Sequence, residues 1–412
     1  MPNFRCGATV FNTKTSWRCS SLDETLRVLE KGMIQYGVTR ITDTTRLDKI
    51  GIPVFAAIRP HAGEGSITVT SGKSVHEMAA KVGALAEAYE LACAKLDPDV
   101  DRVSQLTWRE FEDKCGFPAW ALHIQAACIA TMRPVSPTAK FSVVQCDLLG
   151  EARQGLLPAS LVYFPYHSAM GLDVHGLSTN GLASGNSEDE AIVHALFEVI
   201  ERDAVSFASI GRPTHPVTGL HGPEIESILY ALDCSDADLQ VVYCKNEFDL
   251  PTFTAYVLDR QDSSTPVFVG HGTHLSKDIA LIRACTEAIQ SRLTHIHGAR
   301  DDIIDFHRQW SGIAWNEKRA RVNSLRVKNA RGTQVSFAEI PTIDKVESLA
   351  DALFIVKSRL AKQGFEKICV YRYRRLVPNF CAVRVVVPGL EFYTTNRMRI
   401  GERLLAYAKS RA

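Results

Sequence analysis

Residues 178–204 read STNGLASGNSEDEAIVHALFEVIERDA. A loop of Asn, Gly and Ser runs straight into a stretch with helical spacing. On a helix, residues three and four apart share a face. Glu190, His194, Glu198 and Glu201 therefore fall on one side, while Ile192, Leu196, Val199 and Ile200 cover the other. Carboxylates set among apolar neighbours are costly unless something pairs with them, so the stretch demands a partner. Its start carries the capping-box spacing Ser187-x-x-Glu190.

The same arrangement is echoed twice. GALAEAYE (83–90), HALFEVIE (194–201) and ACTEAIQ (284–290) each set Glu three residues before Glu or Gln on an apolar helix. Their lead-ins are TVTSGKS (68–74), NGLASGNS (180–187) and GHGTHLS (270–276), each ending in a Ser suited to cap a helix. Ser74 and Glu77 repeat the capping-box spacing, while Ser276 offers the cap alone. Two such helices side by side bring Glu87, Glu90, Glu198 and Glu201 into one acidic pocket. Hard oxygen ligands suit Mg²⁺, which keeps waters and binds substrate phosphates. Arg202, Gln290 and Arg292 would then donate to phosphate oxygens. Buried ion pairs holding packed helices are the competing account of the same carboxylates. The loop NGLASGNS matches neither Walker A nor GxGxxG, so Asn180 and Asn186 stand as polar contacts or as turn formers. Lys14 and Arg18 in NTKTSWRC, and Arg300 with Asp301 and Asp302, have a surface tail and a solvated helix end as their ordinary accounts.

The chain's 412 residues allow one large domain or two of ordinary size, and 46% hydrophobic composition supports a sizeable core. With 47 basic against 46 acidic residues, no global field recruits nucleic acid or a membrane surface. The start MPNFRCGATVF lacks the layout of a signal peptide, and no apolar run is long enough to span a bilayer. A cytoplasmic location is the expectation. Eleven cysteines form no CxxC pair and thirteen histidines no HExxH, which disfavours a zinc ribbon or zincin. His295 and His297 are two apart on a segment that reads as helix, a poor metal pair. Strand-like runs at 51–58, 141–149, 239–245, 252–258, 266–272, 367–373 and 382–389 alternate with helical stretches, and Pro-bearing loops fall at 132–138 and 211–223. The pattern predicts an α+β fold, with mixed β-sheets and packed helices.

Four segments together resemble the YcaO family: residues 178–204, EAIQSRLTHIHGARDD (287–302), VTRITDTTRLDKIGIPVFAAIRP (38–60) and VRVVVPGLE (383–391). The match covers nearly the whole chain in the right order. It implies a single catalytic domain over 1–412, with core motifs at about 66–392 and residues 1–65 contributing to the nucleotide site. It implies ATP and Mg²⁺ as cofactors, and O-phosphorylation of a peptide backbone amide followed by nucleophilic attack. Position by position, Glu87, Glu90, Glu198 and Glu201 become metal ligands. Lys14, Asn186, Glu190, Arg202, Gln290 and Arg292 become nucleotide or phosphate contacts. Gly83 stands where the family often has Ser, and no general base is identified.

The chain ends RMRIGERLLAYAKSRA, without the Pro-rich tail of many azoline-forming members, and shows no fused leader-binding domain. The resemblance then favours a stand-alone, thioamide-forming enzyme with a TfuA-like partner. Azoline cyclodehydration with a separate, ThiF-like partner is the alternative, and a non-catalytic nucleotide-binding accessory role is a third reading. A homodimer is expected from the family.

Overall fold

The computed structural model describes residues 10–122, 136–166, 178–260, 266–298, 312–314, 316–318, 333–393 and 400–411. Cys6, Cys128, Arg300, Asp301, Asp302 and most of the 132–138 loop lie outside the described residues.

Strands β1 (Phe11–Asn12) and β2 (Trp17–Arg18) form a hairpin, followed by α1 (Leu22–Gly32). Strands β3 (Arg40–Asp43), β4 (Val54–Ile58) and β5 (Val69–Lys73) form an antiparallel sheet that leads into α2 (Glu77–Cys93). Next come β6 (Ser104–Thr107), α3 (Trp108–Lys114), β7 (Lys140–Leu148), β8 (Gln154–Pro158), β9 (Leu182–Gly185) and α4 (Glu188–Ser209). Then follow β10 (His215–Thr218), α5 (Pro223–Cys234), β11 (Ala237–Tyr243), β12 (Thr252–Asp259), β13 (Phe268–Thr273) and α6 (Lys277–His297). The chain closes with β14 (Val335–Ser336), α7 (Leu349–Lys362), β15 (Cys369–Arg372), β16 (Cys381–Val386) and α8 (Glu402–Lys409).

The second sheet has the order β6-β7-β15-β16-β9, with β8 also on β7. The third has the order β13-β12-β11-β10-β14. The α+β expectation holds, and each strand-like run of the sequence contains a strand. The 211–223 loop differs, because it holds β10 as well as turns. Pro216 is tolerated there because β10 is only four residues long and ends its antiparallel pairing with β11 after two of them.

Helix packing explains the sequence echo. In β5, a Cβ on Gly72 would lie 2.0 Å from the Ala80 carbonyl and 2.2 Å from the Ala84 nitrogen of α2. In β13, a Cβ on Gly272 would lie 2.0 Å from the Ala280 carbonyl and 2.6 Å from the Ala284 nitrogen of α6. Both strands thus carry glycine where helix backbone rests directly on the sheet, at matching spacings to the two alanines. Alanine stripes on α2 and α6 complete the contact, since Ala80, Ala84, Ala88, Ala280, Ala284 and Ala288 are all buried.

The helix starts depart from expectation. Ser187 accepts from the Glu190 backbone N–H, but the Glu190 carboxylate turns away from the box to Arg18 and Cys19. Helix α2 begins one residue after His76, so Ser74 caps nothing and instead accepts from the His76 N–H. Ser276 precedes α6 but donates to Asp344 at 3.2 Å. A complete capping box forms at Thr107 and Glu110, which the sequence analysis passed over.

Three large apolar clusters fill the interior, one around α2 and β7, one around α4 and β16, and one around α6 and β12. The charged cavity lies where helices from these clusters converge.

Candidate functional site

Each of the three echoed units places its pair, Glu with Glu on α2 and α4 and Glu with Gln on α6, on the cavity side of its helix. A cavity of about 520 Å³ is lined by Glu87 and Glu90 from α2, Glu198, Glu201 and Arg202 from α4, and Glu287 and Gln290 from α6. Strand β5 contributes Ser71 and Lys73, β9 contributes Ser184, and the N-terminal hairpin contributes Thr15, Ser16 and Arg18.

The carboxylates are held from several directions. Glu87 accepts from the Ser71 backbone N–H at 2.9 Å, and Glu90 accepts from the Ser184 hydroxyl at 2.7 Å. Lys73 reaches across from β5 to Glu287 of α6 at 3.1 Å, and Gln290 donates to the Ser71 carbonyl at 3.0 Å. Units distant in sequence are therefore stitched together around the cavity. Burial pushes Glu90 up to about 8, with the neighbouring Glu87 and Glu198 adding to it against the Ser184 hydrogen bond. Burial likewise raises Glu201 to about 7 against the attraction of Arg202, and raises Glu198. Burial opposes ionisation of Glu287 too, but Lys73 and Arg202 outweigh it and hold that carboxyl at about 2.

These features fit a cation and an anion together. Raised carboxyls are short of positive charge, which a hard cation supplies. Among the described residues no group of three or more His, Cys, Asp or Glu is placed to hold one metal ion. An orphaned donor and an orphaned acceptor point to an anion and a polar ligand: Gln290 Oε1 and Arg283 Nε are buried on the cavity wall without a partner among the described residues.

Other sequence-chosen residues lie off the cavity wall. Glu190, nearly fully buried, is bonded to Arg18 at 2.8 Å, to the Cys19 N–H at 2.9 Å and to Asn186 at 3.3 Å. Asn186 also accepts from Thr25 at 3.2 Å, so the pair fastens the N-terminal hairpin and α1 to the start of α4. Lys14 is half exposed and pairs with Glu224 at 3.6 Å. Arg292 points away from Gln290, into Asp48 at 3.0 Å and near Asp259 at 3.8 Å. Its displacement follows from spacing, since residues two apart on a helix do not share a face. Gly83 lines the cavity opposite the Gly72 Cα, where a Cβ would sit at 3.3 Å. Ser178 accepts from the Asn180 backbone N–H, the turn-forming account of that loop.

Sequence reasoning missed Lys73, Ser184 and Arg283, and it took Arg18 for part of a surface tail. Only the recurring Gly-bearing lead-ins carried a signal for the strand residues. His295 also lines the cavity, from the last turn of α6.

The chain is similar to known proteins over most of its length. Residues 71–391 match the family model described as YcaO cyclodehydratase, ATP- and Mg²⁺-binding. A protein of Methanothermobacter thermautotrophicus is 32% identical over 395 residues, covering 92% of this chain and 97% of its own. A Rhizobium leguminosarum bv. trifolii protein described as lying in the tfuA 3′ region is 27% identical, covering 89% and 87%. In fold, the chain is similar to YcaO from Methanopyrus kandleri bound with AMPPCP and Mg²⁺, at a TM-score of 0.73 and 21% identity, over 96% of this chain and 98% of that one. The chain belongs to the YcaO family of ATP-dependent peptide-modifying enzymes, whose cofactors are ATP and Mg²⁺. Among the described residues no helix is long and apolar enough to cross a membrane.

Proposed function

From this family membership we propose that the chain activates a peptide backbone amide at the cavity between α2, α4 and α6, and that its product is a thioamide. The observation carrying the reading is that Glu87 and Glu90 of α2 and Glu198 and Glu201 of α4 line one cavity, three of the four raised by burial. These four would hold Mg²⁺, while Arg202, Arg283 and Gln290 would receive phosphate oxygens. When bound, the Mg²⁺–nucleotide would supply the phosphoryl group with which the amide oxygen leaves as phosphate, and an external sulfide-level donor would supply the sulfur.

The protein's own share is positioning and charge balance. Arg202, 3.7 Å from Glu201, offsets the acidity of that wall and leaves donors for an anion. Lys73 is occupied by Glu287 and fixes the spacing between β5 and α6. Thr15, Ser16 and Arg18 line the cavity, a contribution of the N-terminal portion to the site. Glu190, Asn186 and Lys14 act at one remove, by anchoring that hairpin and its surroundings.

The thioamide product is supported by the tfuA neighbourhood of the Rhizobium relative. A TfuA-like protein is then the partner, and the dimeric state expected of the family belongs to the same reading. Azoline formation is the second reading, favoured by the cyclodehydratase description of the family model. Two assays separate them. Product mass reads oxygen replaced by sulfur for a thioamide, or loss of water for an azoline. Glu201→Gln, which removes one metal-facing charge at nearly constant volume, should abolish Mg²⁺-dependent ATP hydrolysis and leave the circular dichroism unchanged. Undiminished hydrolysis in that variant takes Glu201 out of the site. Tight ATP binding without turnover, whatever the peptide, would favour an accessory role.

A further inference from the structure

One cation on the cavity wall differs from the rest. Arg18 pairs with Glu190, Lys73 with Glu287, and Arg202 with Glu201. Among the described residues no carboxylate forms an ion pair with Arg283. Glu198 and Glu201 feel its charge only from further off. Its Nη2 instead donates to Nε2 of His194 at 3.2 Å, across from α6 to α4. Its Nε is buried and has no hydrogen-bond partner among the described residues. Both residues line the cavity.

We infer that His194 is a positioning residue, which aims the Arg283 guanidinium at an anion in the cavity without neutralising it. A carboxylate in its place would fix the guanidinium equally well but cancel its charge. A neutral imidazole accepts one N–H and leaves the positive charge and the remaining donors for the ligand. Because Nε2 accepts, Nδ1 carries the proton. The imidazole stays neutral because it is buried and surrounded by Arg283, Arg18, His274 and Lys73. His274, packed between Trp17 at 4.5 Å and Phe197 at 4.6 Å, backs the same region. An uncompensated guanidinium with a buried free N–H is unfavourable on its own and is relieved by an arriving anion. The inference rests on the nucleotide reading for the anion's identity, which is then a polyphosphate.

Binding of Mg²⁺–AMPPCP and of Mg²⁺–tripolyphosphate tests it by calorimetry, on wild-type protein, His194→Phe, His194→Gln, Arg283→Lys and the double variant His194→Phe/Arg283→Lys. His194→Phe should weaken both ligands by roughly ten-fold or more. His194→Gln, which keeps an acceptor, should recover to within about three-fold of wild type. The double variant should be no weaker than Arg283→Lys alone, because His194 acts through Arg283. Should His194→Phe not fold, ¹⁵N NMR of the wild-type ring decides instead. The Nδ1–H tautomer with an Nε2 that shifts in Arg283→Lys is the expected signature, and the opposite tautomer overturns the proposal. Wild-type affinity in His194→Phe, or additive losses in the double variant, also overturns it while leaving the nucleotide reading intact. Wild-type binding of tripolyphosphate without AMPPCP removes the nucleotide and keeps the anion seat. Binding of neither ligand removes both.

Discussion

Loading of the cavity with Mg²⁺ and nucleotide should expel protons, and their number follows from the buried carboxyls. Glu90 sits at about 8 and Glu201 at about 7 because burial disfavours their charged forms. At pH 7 a carboxyl at about 8 is roughly nine-tenths protonated and one at about 7 roughly half, so the two together hold roughly 1.4 protons. A metal needs its carboxylates ionised, so those protons leave on binding. The assay is calorimetry of Mg²⁺–AMPPCP in buffers of different ionisation heat, with Mg²⁺ in excess so that the nucleotide enters fully ionised. From these two, release should approach two protons near pH 6, lie near one and a half at pH 7 and fall away by about pH 9, and Glu198, also raised by burial, adds to it. Affinity should accordingly rise with pH up to about 8 and then level off. Glu90→Gln should remove the larger share of the release at pH 7.

The stability of the cation-free protein moves the other way. Between about 4.5 and 8 the folded state holds protons that the unfolded chain has released, so stability falls as pH rises through that window. Mg²⁺–nucleotide should restore it in a thermal melt. Enthalpies that do not depend on the buffer at pH 7, or affinity flat from pH 6 to 8, would refute the account of Glu90 and Glu201 as charge-starved ligands.

Other perturbations separate site from scaffold. Arg292→Gln strands Asp48, which is nearly fully buried, and should cost about 3–5 kcal/mol of stability, read by the denaturant midpoint, without changing nucleotide affinity in the folded protein. A selective loss of affinity would return Arg292 to the site. Arg403→Met breaks the link from α8 to the fully buried Asp203 on α4 and to Glu247, again at about 3–5 kcal/mol. Adding Asp203→Asn should recover much of that loss, and an unrecovered double variant would show that the charge is not the cause. Gly72→Ala drives a methyl into the Ala80 carbonyl and should push α2 off the sheet, lowering the melting temperature and Mg²⁺–AMPPCP affinity together. Normal affinity in that variant would mean that α2 can shift without disturbing Glu87 and Glu90.

The Glu pairs of α2 and α4 were readable in the sequence because helical periodicity is local, and a carboxylate in an apolar stretch declares itself wherever the chain goes. The recurrence of Gly-bearing lead-ins was readable too, although its reason was not. Gly72 and Gly272 are glycine because a helix backbone rests on each strand, a contact that no local pattern contains. Capping was the weaker inference. The Ser74 and Glu77 spacing suggests a capping box that does not form, because the chain stays extended to His76 before α2 begins. At Ser276 the hydroxyl found Asp344, distant in sequence.

By itself, the sequence determined the α+β class and the family, because both depend on the order and spacing of residues along the chain, and it set Glu87 with Glu90, and Glu198 with Glu201, on one face of their helices. Tertiary structure alone decided which side chains meet across elements. It brought Lys73 to Glu287, Arg283 to His194 and Ser184 to Glu90, and it sent Arg292 to Asp48. The physical reason is range. Periodicity reports which way a side chain points from its own helix, whereas ion pairing and desolvation depend on what another part of the chain sets opposite it.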